Sequence, residues 1–106
     1  MVDFHLVDVF VGEGAAGNPA GVVPRADGLS DAEMQRVATA LGVSDTAFVF
    51  HEGGLRLRWF TPGREIDLCC HSTLAAAQVL GITAETTFAY GGGTLAVRPE
   101  PIGGEL

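Results

Sequence analysis

The spacing of apolar residues switches repeatedly along this chain between strand and helix periods, so it predicts interleaved strands and helices. Phe4-His5-Leu6-Val7-Asp8-Val9-Phe10 alternates at its start and then turns apolar, predicting a strand. Gly12 to Pro19 is rich in turn formers and predicts a loop, followed by a short strand over Ala20-Gly21-Val22-Val23. Residues 24–29 connect that strand to a helix whose start is marked by Ser30-Asp31-Ala32-Glu33. Serine with glutamate three residues later is a capping box, in which each side chain satisfies the other's free backbone N–H. Met34, Val37, Ala38 and Leu41 follow at helical spacing, and Gly42 ends the helix.

Thr46 to His51 predicts a strand, Glu52-Gly53-Gly54 a hairpin turn, and Leu55 to Phe60 the returning strand, which alternates cleanly. The second helix is predicted from His71 to Leu80, with its stop at Gly81. Leu74 to Ala77, Val79 and Leu80 leave it almost no polar face, which predicts burial, and its alanines admit strands closely. Thr86 to Tyr90 and Thr94 to Val97 form a last hairpin across Gly91-Gly92-Gly93, and residues 98–106 read as a loose tail. The expected architecture is α+β: one domain over residues 1–106, a mostly antiparallel sheet wrapped around one buried central helix.

Composition narrows the partners. The chain of 106 residues is long enough for one core and too short for two. Six Lys and Arg against thirteen Asp and Glu give a net charge of -7, which argues against nucleic acid or an anionic membrane surface as partner. No stretch is long and apolar enough for a membrane span. The start lacks the basic and apolar pattern of a signal peptide. The two cysteines are adjacent, so no disulfide framework is expected and a reducing cytoplasm fits. His5, His51 and His71 lie in separate segments, which predicts no metal site, and no glycine-rich phosphate-binding spacing is present.

The chemistry gathers where an extended segment becomes the second helix, at Asp67-Leu68-Cys69-Cys70-His71-Ser72-Thr73. Free N–H groups and the positive dipole end of a helix favour anions there. A thiol held at such an end is expected to lose its proton more easily than a free one. The corner therefore reads as reactive or carboxylate-binding. Arg58, in the preceding strand, reads as a residue of a solvated face.

Four segments in order, Val7-Asp8-Val9-Phe10, Gly17-Asn18-Pro19-Ala20-Gly21-Val22-Val23, Ser44-Asp45-Thr46-Ala47-Phe48-Val49 and Trp59 through Ala77, resemble the PhzF family of phenazine-biosynthesis-type isomerases. That family shares its fold with diaminopimelate epimerase and proline racemase. The resemblance covers almost the whole chain but one lobe only. Its members have two such lobes with the active site between them, so the resemblance implies a single N-terminal lobe of the diaminopimelate-epimerase-like fold.

It also implies roles. Asp45 stands where the family has the glutamate that shuttles a proton, and His71 where a histidine holds and polarises substrate. Asn18, Cys70 and Ser72 would contact substrate, Cys70 and Ser72 through backbone, and Cys69 aligns with the thiol base of the epimerases and racemases. The family's Cys-Gly-His-Ala-Thr reads Cys69-Cys70-His71-Ser72-Thr73 here. If the glycine served a positive φ, Cys70 would be strained. The implied activity is a cofactor-independent proton transfer on a small carboxylate or amino-acid-like substrate. The site would be completed by a homodimer mate or a partner chain carrying the second lobe. The alternatives are a non-catalytic half-lobe that binds or assembles, and a fragment of a full two-lobe protein.

Overall fold

A computed structural model describes residues 2–9 and 18–97, without the side chains of Val9, Asn18 and Cys70. The predicted tail over 98–106 and most of the Gly12–Pro19 loop lie outside the described residues. Seven strands and two helices follow in the order β1 (His5–Val9), β2 (Asn18–Val23), α1 (Asp31–Leu41), β3 (Thr46–Phe50), β4 (Arg56–Phe60), β5 (Glu65–Ile66), α2 (Cys70–Leu80), β6 (Thr86–Tyr90) and β7 (Gly93–Val97). One sheet runs β1-β2-β3-β4-β6-β7, with β5 pairing β4. The fold is α+β as expected. Most pairings are antiparallel, but the two that enclose a helix, β2 with β3 and β4 with β6, are parallel. A helix returning the chain to the same end of the sheet enforces that direction.

Alternation in the central strands sorts the core into two faces. Ala20, Val22, Ala47, Val49, Leu57 and Trp59 point to the α2 side, with Ala75 and Ala76 of the helix. Val23, Phe48 and Phe60 point to the other side, where they pack on Met34 and Ala38 of α1. Phe48 and Phe60 meet edge to face, with ring centroids 5.2 Å apart. Thr46 to Val49 are therefore all buried, because β3 is covered on both faces.

Helix α1 starts as its sequence dictates. The Glu33 backbone N–H donates to Ser30 Oγ at 3.1 Å, and the Ser30 N–H donates to Glu33 Oε1 at 2.8 Å. Its Gly42 cap takes φ 69°, the left-handed geometry expected at that stop.

Helix α2 packs against β1, β2 and β3. Ser72, Thr73, Ala75 and Ala76 are buried, but Leu74 remains 46% exposed and Leu68, just before the helix, 47%. Burial all round is thus corrected to burial on one side. The sheet ends at β1 and β7 among the described residues and does not close over the other side of the helix.

Candidate active site

Three polar groups meet where β3 begins and α2 starts. Asp45 immediately precedes β3, and by the alternation of Ala47 and Val49 it lies on the α2 face. Its carbonyl accepts the Gly21 N–H at 3.0 Å, which ties it to β2. The Ser44 hydroxyl donates to the Pro19 carbonyl at 3.5 Å, so the start of β2 lies beside the Ser44-Asp45 step. Asn18 occupies the first position of β2 opposite Val9, and its side chain lies outside the described residues. Asp45 Oδ1 is buried and has no hydrogen-bond partner.

Cys69 is the N-cap of α2, with extended φ and ψ of -146° and 105°, and its side chain makes no capping hydrogen bond. The corner is fixed instead by Thr73, whose hydroxyl donates to the Cys69 carbonyl at 2.7 Å and accepts from Trp59 Nε1 at 3.0 Å. The sequence carries no signal for this bracing. A threonine one turn into a helix gives no sign of which distant indole it will meet.

Burial raises the Cys69 thiol above its ordinary pKa. Ser72, through its side chain and N–H, opposes that rise, and Asp45 reinforces it. The activated thiol expected at a helix N-terminus is therefore corrected: desolvation outweighs the lowering by Ser72. Cys69 is half-buried and packs against the α2-side core.

Ser72 is fully buried and its Oγ, like Asp45 Oδ1, has no partner. His71 is half-buried in the same first turn. Cys70 opens the helix, and no non-glycine residue among those described has positive φ, so its backbone carries no left-handed strain. Asp45, Cys69 and Ser72 thus form one cluster. His71 and the Cys70 backbone belong to its helical wall.

Arg58 is partly buried and ion-paired rather than free on a solvated face. Its guanidinium donates to both Glu65 oxygens and to Asp31 Oδ1, each at 2.8 Å, and is spent within the chain. A cavity of about 610 Å³ lies beside that network, between β5 and the β6–β7 turn. Trp59, Glu65, Asp67 and Tyr90 line it, and Asp45, His71 and Ser72 do not. Among the described residues no three metal-ligating side chains gather.

The family model for phenazine biosynthesis-like proteins matches residues 7–98. The chain belongs to the phenazine biosynthesis-like family. It is 53% identical over 82 residues to an uncharacterized isomerase of Pseudomonas aeruginosa, covering 76% of this chain and 31% of that one. It is 48% identical over 84 residues to the uncharacterized isomerase YddE of Escherichia coli, covering 74% and 28%. A PhzF-family crystal structure from Enterococcus faecalis superposes with a TM-score of 0.81 at 43% identity, over 92% of this chain and 40% of that one. A predicted epimerase of Pseudomonas aeruginosa, at 24% identity and a TM-score of 0.73, shares the fold. This phenazine biosynthesis-like chain thus spans about a third of the length of the curated relatives it matches.

Proposed function

We propose that this chain supplies one wall of an isomerase or epimerase site that moves a proton on a small carboxylate or amino-acid-like substrate. Asp45 takes the proton from a substrate carbon and returns it to another position or face. His71, with the N–H groups of the Cys70 to Ser72 turn, holds the substrate carboxylate. Asn18 contacts substrate from the start of β2. The observation that carries this reading is Asp45 Oδ1, buried without a partner beside the first turn of α2. A carboxylate oxygen buried without a hydrogen-bond partner is free to accept a proton from a substrate. The helix end supplies the complementary pole for a carboxylate.

The reaction uses no metal or organic cofactor in this proposal. It takes place in the cytoplasm, where adjacent thiols stay reduced. The opposite wall comes from a second lobe, carried by a homodimer mate or a partner chain. This rests on the exposed Leu68 and Leu74 beside the corner.

The test is proton exchange in heavy water against a panel of small carboxylates and amino acids, followed by NMR. Deuterium incorporation by the chain, lost in Asp45→Ala, supports the reading. Exchange that survives Asp45→Ala removes Asp45 from the mechanism. Ligand binding with no exchange favours the non-catalytic binding module.

A further inference from the structure

The cavity between β5 and the β6–β7 turn has no part in the proton transfer just described. Its volume of about 610 Å³ lies within the range of small-molecule sites. The sheet itself opens it. Strand β4 pairs β5 at Trp59 and Phe60 but meets β6 only at Arg56, so its two neighbours on that edge diverge and leave a wedge between them. Leu57 and Trp59 line the wedge from the core, each 1% exposed. Tyr90 lines it from β6 and meets Trp59 edge to face, with ring centroids 5.4 Å apart. The turn that follows has to be bare at Gly92, because a Cβ there would come within 2.8 Å of Tyr90 Cε2. The glycine thus leaves room for the aromatic wall.

The charged residues around the cavity differ in what they have left to offer a ligand. Arg58 is spent on Glu65 and Asp31, and those two carboxylates already exceed its single charge. Asp67 adds another carboxylate, and no ion pair engages it among the described residues. Arg56 lines only an adjoining recess, and its guanidinium lies over the Phe50 ring, 5.6 Å from the centroid. The charge left free on the cavity is therefore negative, on a chain whose net charge is -7. We propose that this cavity binds a small organic cation, an amidine or amine on a flat apolar body, with its charge at Asp67 and its body against Tyr90. An aromatic wall serves both halves of such a ligand. It packs against the flat body, and its π face attracts the cation. The cavity thus selects the opposite charge from the α2 corner, and the inference does not rest on Asp45 as the proton carrier.

The test is a series of three probes, benzamidinium, benzamide and benzoate, which share one ring and differ in charge. Binding to the full chain is followed by NMR at the indole N–H of Trp59, the single tryptophan, and at the Gly91 and Gly92 amides. Benzamidinium should shift these signals and bind more tightly than benzamide, with benzoate weakest. Asp67→Asn should weaken benzamidinium roughly two- to five-fold and leave benzamide unchanged. Added salt on the wild type reads the same charge without a variant: it should weaken benzamidinium and spare benzamide. Asp45→Ala should leave the affinity for benzamidinium as it was. Benzoate binding as tightly as benzamidinium overturns the proposal, as do signals that none of the three probes moves. Benzamidinium affinity indifferent to both Asp67→Asn and salt does so as well. Affinity lost in Asp45→Ala but kept in Asp67→Asn would place the cation at the α2 corner instead, and would also overturn it.

Discussion

Trp59 Nε1 donates to Thr73 Oγ1 at 3.0 Å inside the core, and the same oxygen donates onward to the Cys69 carbonyl at 2.7 Å. One hydroxyl thereby joins the middle of the sheet to the residue that starts α2. Thr73→Val keeps the volume but leaves the indole N–H buried without an acceptor. The expected loss is about 1–3 kcal/mol in denaturant unfolding. Trp59→Phe removes the donor but also buried indole surface, so it too destabilises. A Thr73→Val chain as stable as the parent would mean that the bridge contributes nothing.

Gly21 and Thr46 pair across β2 and β3, and they make opposite predictions. A Cβ on Gly21 would sit 2.7 Å from Thr46 Oγ1 and 3.0 Å from Leu41 Cδ1. Gly21→Ala should therefore cost roughly 1–3 kcal/mol through overpacking. Thr46 Oγ1 is itself buried without a partner. Thr46→Val removes that unsatisfied hydroxyl at nearly constant volume, and should leave stability unchanged or raise it by up to about 1 kcal/mol. Chemical denaturation of both variants decides the pair. A strongly destabilised Thr46→Val would show that the hydroxyl is hydrogen-bonded in solution.

Much of this framework is legible in the amino-acid sequence, because it is written locally. The capping box at Ser30, the glycine stops and the alternation of β4 each depend on residues a few positions apart. What is not legible depends on distance or burial. Strand β5 is only Glu65-Ile66, too short to show a period. Arg58 finds Glu65 seven residues on and Asp31 twenty-seven away. Cys69 misleads because the helix dipole can be read from sequence and desolvation cannot. The position of Asp45 beside α2 follows from sheet order, so only the family pattern singles it out.

Stability should fall in acid, because three carboxylates are held below their ordinary pKa in the folded chain. The Glu52 and His51 backbone N–H groups hold Asp27 below its ordinary 3.8. The Arg58 guanidinium does the same for Asp31, and the Ser30 N–H and hydroxyl for Glu33. A carboxylate with a depressed folded-state pKa contributes stability that is complete above its unfolded value. That contribution is lost as pH falls through the lower folded value. Melting temperatures taken downward from about pH 6 should therefore hold steady and then drop below about pH 4. Asp27→Asn retains an acceptor for the hairpin N–H groups but cannot titrate. Its melting temperature should fall less steeply over the same acid range. An identical acid slope would show that Asp27 is not among the groups being titrated.

Leu68 and Leu74 flank the start of α2 and are about half exposed, beside an apolar groove of about 300 Å³ that reaches Leu95 and Val97 of β7. On the proposed function this is the face nearest the missing wall. Leu74→Glu places a charge there without opening a cavity in the core. The fold should change by less than about 1 kcal/mol, since the side chain is half in water already. Association with a second lobe should weaken steeply, because desolvating an unpaired carboxylate at an apolar contact is costly. Sedimentation of wild type and variant, with proton exchange measured on the same samples, connects assembly to activity. Loss of both together supports a site shared between lobes. A wild-type chain that sediments as a monomer and still exchanges protons would show that one lobe suffices.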